Sequence, residues 1–132
     1  MKKVVLVAIV TFLAVSRAHG KCPFEEIVIK GNVNSDKGPV VGATVSVSYV
    51  VWKDERVTIQ SFSGNRGAYE ISFYFDTYSG TILFSGDKCD LKLDKAEIVL
   101  SASGFESTLD TALIQGRTTT YNKSLQPTAS GG

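Results

Sequence analysis

The sequence is poor in several residue types, and each shortage closes off a class of function. Its 132 residues include one histidine, one methionine, two cysteines and three prolines. One histidine cannot build a multi-histidine metal centre, and two cysteines cannot build a four-thiolate zinc site. Charge of one sign is also missing. Fourteen Lys and Arg face 13 Asp and Glu, a balance that carries no footprint of nucleic acid or another polyanion. Helical periodicity long enough to bury a face is absent as well. What remains is the composition of one small domain: 43% apolar, 20% charged, and 12 glycines that suit a turn-rich β protein.

The first 20 residues read as an address. Met1, Lys2 and Lys3 make a basic start, and Val4 to Val15 is an apolar run broken only by Thr11. Ser16-Arg17-Ala18-His19-Gly20 then supplies small residues spaced for a signal peptidase, after Ala18 or after Gly20. The run is shorter than the roughly 20 residues that span a bilayer. We therefore expect a secretory leader over residues 1–20 and membrane contact only through that cleaved segment. Lys21 before Cys22 argues against a lipoprotein. Cleavage after Gly20 removes Lys2, Lys3, Arg17 and His19, so 11 basic residues face 13 acidic ones and the net charge becomes −2. The mature chain then has no histidine, which removes imidazole acid–base catalysis and imidazole metal ligation together.

Cys22 and Cys89 survive as an even pair in an oxidising compartment. A redox or nucleophilic thiol lacks a histidine partner and a CxxC spacing here. A structural disulfide between Cys22 and Cys89 is the favoured reading, with two reduced thiols as the alternative.

Strands follow from alternation. Glu26–Asn34, Ala43–Trp52, Arg56–Ser63, Ala68–Phe75, Ala96–Ser103, Ser107–Ile114 and Thr118–Leu125 each read as one, with Thr81–Phe84 as a short addition. The clearest is Ala43–Trp52, where Val45, Val47, Tyr49 and Val51 alternate with Thr44, Ser46, Ser48 and Val50. Gly86–Asp94 is polar and reads as a loop or one helical turn. Gln126–Gly132 is a small-residue tail, expected to be disordered. About seven short strands with frequent turns make an all-β sandwich the expected class.

Four motifs follow one another in order. They are Ile29-Lys30-Gly31-Asn32-Val33, Gly38-Pro39-Val40-Val41-Gly42-Ala43-Thr44-Val45, Ser63-Gly64-Asn65-Arg66-Gly67-Ala68-Tyr69-Glu70-Ile71 and Leu100-Ser101-Ala102-Ser103-Gly104-Phe105. Together they resemble the carboxypeptidase regulatory-like domains of the transthyretin-like (prealbumin-like) sandwich, over about residues 27 to 125. Asp76–Asp94 departs from that pattern by being longer. The resemblance implies a seven-stranded Greek-key β-sandwich over residues 21–125, in an exported bacterial protein. The same fold hosts hydroxyisourate hydrolases and intradiol dioxygenases, whose sites depend on histidines.

The resulting expectation is a non-catalytic module, periplasmic or extracellular, with a binding or structural role and no cofactor or metal. Its partner would be an envelope protein or a glycan, not a nucleic acid. Two alternatives stay open. One is carbohydrate binding through the ligand-facing aromatics Trp52, Tyr74 and Tyr78, with Tyr74 exposed beside Trp52. The other is a small exported hydrolase, with a Ser or Cys beside a Lys or an acid. Two weaker ideas concern single clusters. Asp87, Asp90 and Asp94 lie close enough in sequence to consider calcium, without an EF-hand spacing. Lys30 and Asn122 resemble in type the Lys–Asn isopeptide pairs of adhesin modules, but alternation turns Lys30 outward.

Overall fold

Alternation of apolar and polar residues builds the strands, and their inward faces meet to make the core. The computed structural model describes residues 22–80 and 88–128. The expected leader and the expected strand Thr81–Phe84 lie outside the described residues, as does the end of the tail. Among the described residues there are nine strands: β1 (Phe24–Ser35), β2 (Gly38–Pro39), β3 (Thr44–Val51), β4 (Glu55–Phe62), β5 (Ala68–Asp76), β6 (Lys95–Ser101), β7 (Thr108–Leu113), β8 (Thr118–Thr120) and β9 (Lys123–Leu125). They form two sheets, and the protein is an all-β sandwich. One sheet orders β2-β1-β5, with β8 and β9 also on β1; the other orders β4-β3-β6-β7.

β1 organises the first sheet. It runs antiparallel to β5, with Ile27 opposite Phe73 and Ile29 opposite Ile71. On its other edge it takes β8 in parallel at Val28–Lys30 and β9 in parallel at Val33–Ser35. In the second sheet β3 is the centre, paired antiparallel with β4 and with β6, while β7 pairs with β6 alone among the described strands. Phe73, Phe75, Ile29, Val45, Val47, Ile98 and Leu100 fill the space between the sheets and are almost wholly buried. Each contributes about 1.5–3 kcal/mol by leaving water. Tyr49 stacks on Phe73 with ring centroids 4.3 Å apart and completes that core.

The sequence predicts one strand over Thr118–Leu125, and the structure splits it at Tyr121 and Asn122. The register to β1 is the same on both sides of the split. At the break Gly31 lies so close that a Cβ there would fall 1.8 Å from the Tyr121 carbonyl oxygen. That carbonyl accepts the Tyr69 hydroxyl at 2.6 Å. Asn122 then uses its side-chain oxygen, at 2.9 Å, to accept the Asn32 backbone N–H that a continuous strand would have satisfied with its own backbone. Asn122 is thereby committed, and Lys30 is exposed on the outer face, as alternation required.

The ends of the strands are tied by side chains. Ser63, buried, donates to the Val40 carbonyl at 2.7 Å and accepts the Ala43 N–H at 2.8 Å. Thr77, also buried, donates to the Pro23 carbonyl at 2.8 Å and joins the end of β5 to the approach to β1. Between the sheets at one side, the Tyr121 hydroxyl donates to Asp110 on β7, and Lys123 pairs with the same carboxylate at 3.2 Å.

Candidate functional site

The start of β1, the segment before β6 and the β7–β8 turn converge at one end of the sandwich. They border an open groove of about 630 Å³, within the size range of small-molecule sites. Its walls are Phe24–Ile27, Lys92–Asp94 and the turn carrying Ile114, Gly116 and Arg117. β8 stops pairing at Val28, so Phe24–Ile27 has no partner strand on that side among the described residues. The cleft occupies the space that a longer β8 would fill.

Local bonds hold each wall. The Arg117 carbonyl accepts the Val28 N–H at 2.8 Å, which seats the turn against β1. The Asp94 carbonyl accepts the Ile114 N–H at 2.8 Å, which seats the second wall against the end of β7. Arg117 reaches across and donates to Glu26 at 3.2 Å, with the guanidinium still mostly in solvent. An exposed pair of this kind contributes little to stability; it leaves a cation on the lip of the cleft. The cleft therefore presents apolar surface from Phe24, Leu93 and Ile114, carboxylates from Glu26 and Asp94, and cations from Lys92 and Arg117.

A disulfide joins two of the walls. Cys22 and Cys89 are bonded, as expected, across 67 residues of sequence. Cys22 lies two residues before Phe24, and Cys89 lies three residues before Lys92. The bond thus helps to hold the Phe24–Ile27 wall near the Lys92–Asp94 wall.

The three expected ligand-facing aromatics do not form one platform. Trp52 and Tyr78 meet edge to face with centroids 5.1 Å apart. Lys53 Nζ sits 4.9 Å from the Trp52 ring. Gly80 packs against the indole so closely that a Cβ would stand 2.0 Å from it. Tyr74 instead projects from the outer face of β5, opposite Glu26 in register and 49% exposed. Trp52 follows β3 in the other sheet, so Tyr74 is not beside it. The reason is topological: alternation tells which face a residue takes, not which sheet its strand joins.

No described trio of His, Cys, Asp or Glu comes together to hold a metal ion. Asp90 accepts the Ser79 hydroxyl at 2.8 Å, Asp94 lines the cleft, and Asp87 lies outside the described residues. His19 lies outside them too. The described side chains do not fit a metal centre built on imidazole.

Phenols are the perturbed groups of this chain. Burial pushes Tyr49 up to about 12, and it pushes Tyr69 above the ordinary phenol range. Tyr121 is raised by burial and by its bond to Asp110. The Asp110 carboxyl is lowered, first by the Tyr121 hydroxyl and then by Lys123. Tyr69, Tyr121 and Asp110 brace the two sheets, while Tyr49 stacks in the core and shares a groove with Lys92–Asp94. Sequence reasoning missed Glu26 and Arg117. The only local trace was the Gly116-Arg117 turn between two strands, because the convergence of three distant segments leaves no mark on any one of them.

No family model matches the chain, and no curated protein matches it. Solved structures do. The chain is similar to hydroxyquinol 1,2-dioxygenase from Pseudomonas putida at 10% identity and a TM-score of 0.56, covering 85% of this chain and 61% of that one. It is similar to 3-chlorocatechol 1,2-dioxygenase from Rhodococcus opacus at 9% identity and a TM-score of 0.57, covering 84% and 63%. It also matches the dioxygenase domain of a dioxygenase carbohydrate-binding protein fusion from a cellulolytic Streptomyces, at 12% identity and a TM-score of 0.54, covering 84% and 86%. The chain spans less than two thirds of the length of the first two. At these identities the likeness concerns the fold.

These neighbours correct the expectation of a non-catalytic module and the reading that the chain is not an enzyme. The three solved structures named above are dioxygenases or a dioxygenase domain, so this fold is no mark of a non-catalytic module. The inference from composition fails for a physical reason. Absence of histidine from residues 21–132 removes imidazole chemistry only; carboxylates, phenols and guanidinium groups also move protons and hold charge. Motifs that specify turns and strand entries report the fold and are silent on chemistry.

Proposed function

We propose that the chain is a catalytic domain of dioxygenase fold whose cleft takes a small aromatic diol of the catechol class. The cleft carries this reading. Phe24, Leu93 and Ile114 offer apolar walls for a ring. Glu26 and Asp94 offer carboxylates that accept the protons of adjacent hydroxyls, and Arg117 offers the charge that favours a phenolate over a phenol. The likeness to catechol-type and hydroxyquinol dioxygenases supports the substrate class. Near-complete overlap with the Streptomyces dioxygenase domain supports a catalytic unit of this small size. On this reading the cleft residues capture and orient the ring, and oxygen chemistry is not placed on them.

The test uses the purified, disulfide-bonded chain. Catechol, 3-chlorocatechol and hydroxyquinol are titrated calorimetrically, and oxygen uptake is followed with each, with and without added transition-metal ions. Saturable binding by one of them is the expected result, and oxygen uptake counts only where it exceeds that of the same diol and metal ion without protein. Arg117→Ala should weaken binding about tenfold, the cost of one charge-assisted hydrogen bond. Absence of both binding and uptake for all three compounds overturns the proposal.

We also infer that the sandwich winds as a Greek key of transthyretin-like type, as the carboxypeptidase regulatory-like resemblance implies. Support comes from β3 lying between β4 and the distant β6, and from β1 lying between β5 and the C-terminal strands. We infer export to the periplasm or beyond through a leader over residues 1–20. The Cys22–Cys89 bond supports this, because such bonds persist in oxidising compartments.

A further inference from the structure

Among the described residues β7 is an edge strand, and its outer side carries no partner strand. The Ile114 N–H bonds the Asp94 carbonyl, and the β6–β7 register continues that pairing as Leu113 opposite Lys95 and Ala112 opposite Ala96. In an antiparallel ladder the bonded pairs alternate. Ala112, Asp110 and Thr108 therefore bond to β6, while Leu109, Thr111 and Leu113 aim their N–H and C=O groups at the open edge. The same three residues turn their side chains to the outer face. Leu109 and Leu113 are each 64% exposed, the most exposed large hydrophobic side chains among the described residues. Edge strands are usually protected by proline, a bulge or an outward lysine. β7 has none of these. Its one charge, Asp110, turns inward and is already held by Tyr121 and Lys123.

We propose that β7 pairs antiparallel with β7 of a second copy of this chain, about a two-fold axis at Thr111. The strand is symmetric in what it shows outward: Leu109, Thr111, Leu113. Paired about Thr111, each Leu109 lies opposite the other copy's Leu113, and the two Thr111 residues face each other. All three outward residues are of the bonding parity, so the pairing forms a complete ladder with no register slip. The result is a continuous eight-stranded sheet from the two four-stranded ones. The nearest like charges in the central row are the two Glu97 carboxylates. Three strand spacings separate them, about 14 Å, beyond the screening length of about 8 Å at physiological ionic strength. Self-complementarity of the edge is what selects a second copy as the occupant.

Sedimentation velocity on the full disulfide-bonded chain is the test. Wild type should sediment as a dimer at high concentration. Thr111→Pro removes an N–H that only the second copy uses, so the β6–β7 ladder is untouched; this variant should be monomeric, with the melting temperature that wild type shows at dilutions where it is monomeric. Leu109→Lys, at an exposed position, is the second variant and should also be monomeric. Thr111→Cys should give a dimer joined by a short thiol-reactive bifunctional cross-linker, since Cα atoms of a bonded antiparallel pair lie about 5.5 Å apart. A monomeric wild type at every concentration overturns the proposal. So does a dimer that persists in both Thr111→Pro and Leu109→Lys.

Discussion

Cys22, 4% exposed at the foot of β1, is bonded to Cys89, which lies three residues before the opposite wall of the cleft. The two sulfurs connect segments that share no strand pairing: β1 belongs to one sheet, and Lys92–Asp94 leads into the other. The covalent tie acts beside Thr77, whose hydroxyl donates to the Pro23 carbonyl and whose own carbonyl accepts the Leu91 N–H. Together they hold Phe24–Ile27 near Lys92–Asp94.

Removing that tie should act on stability and on the site together. Closing a loop of 67 residues stabilises the fold by about 4 kcal/mol on the chain-entropy model. Cys22→Ser with Cys89→Ser should lower the urea-unfolding free energy by that order. It should also weaken calorimetric binding of whichever diol the wild type takes. Full retention of stability and binding in the double variant would show that the bond is incidental to the cleft.

The stability of this protein should fall on the alkaline side as its buried phenols ionise, and Tyr49 carries part of that fall. Burial holds the Tyr49 hydroxyl neutral, with its pKa pushed up to about 12, whereas an unfolded tyrosine ionises near 10. The folded state favours the neutral form, so this contribution is complete below pH ~10 and is lost as the pH climbs towards ~12. The two-unit difference corresponds to about 3 kcal/mol. Tyr69 and Tyr121 are raised as well and act in the same direction. Asp110 works at the other extreme: its lowered carboxyl adds stability that is present above about pH 4 and fades in acid. Melting temperatures by circular dichroism across pH 7–12 check the alkaline limb. Tyr49→Phe should flatten it, and an identical slope in that variant counts against burial of Tyr49 as the cause.

Thr108 carries a hydroxyl that is buried without a hydrogen-bond partner. It sits at the first position of β7 with its side chain turned inward. An unsatisfied buried hydroxyl costs about 1–3 kcal/mol. Thr108→Val keeps the branched shape and removes the polar atom, so it should raise the urea midpoint by an amount worth about 1 kcal/mol. A lower midpoint would mean that the hydroxyl is satisfied in solution.

Much of the fold was legible because alternation is local. β3 to β6 match their expected strands to within a residue or two, since each shows its inward Val, Ile, Tyr or Phe at every second position. The break between β8 and β9 was not legible. It depends on Gly31, Tyr69 and Asn32 arriving beside Tyr121 and Asn122 from 52 to 90 residues away. The cleft was hidden for the same reason. Glu26 and Arg117 are 91 positions apart in the chain, and neither belongs to a motif. Tyr74 and Trp52 lie apart because Tyr74 is on β5 and Trp52 is in the turn after β3, which belongs to the other sheet.

By itself the sequence determined the β class, the core residues and the absence of imidazole chemistry from residues 21–132. These follow from residue identity and from spacing within one strand, where backbone geometry dictates which side a residue faces. The tertiary structure decided which strands become neighbours and which edges stay open. It placed Cys22 beside Cys89, opened the cleft where β8 ends, and left Leu109, Thr111 and Leu113 on an unpaired edge. Those outcomes depend on how two sheets stack and on where pairing stops. Both are properties of the whole chain, set by burial of one shared core, and no short window of sequence contains them.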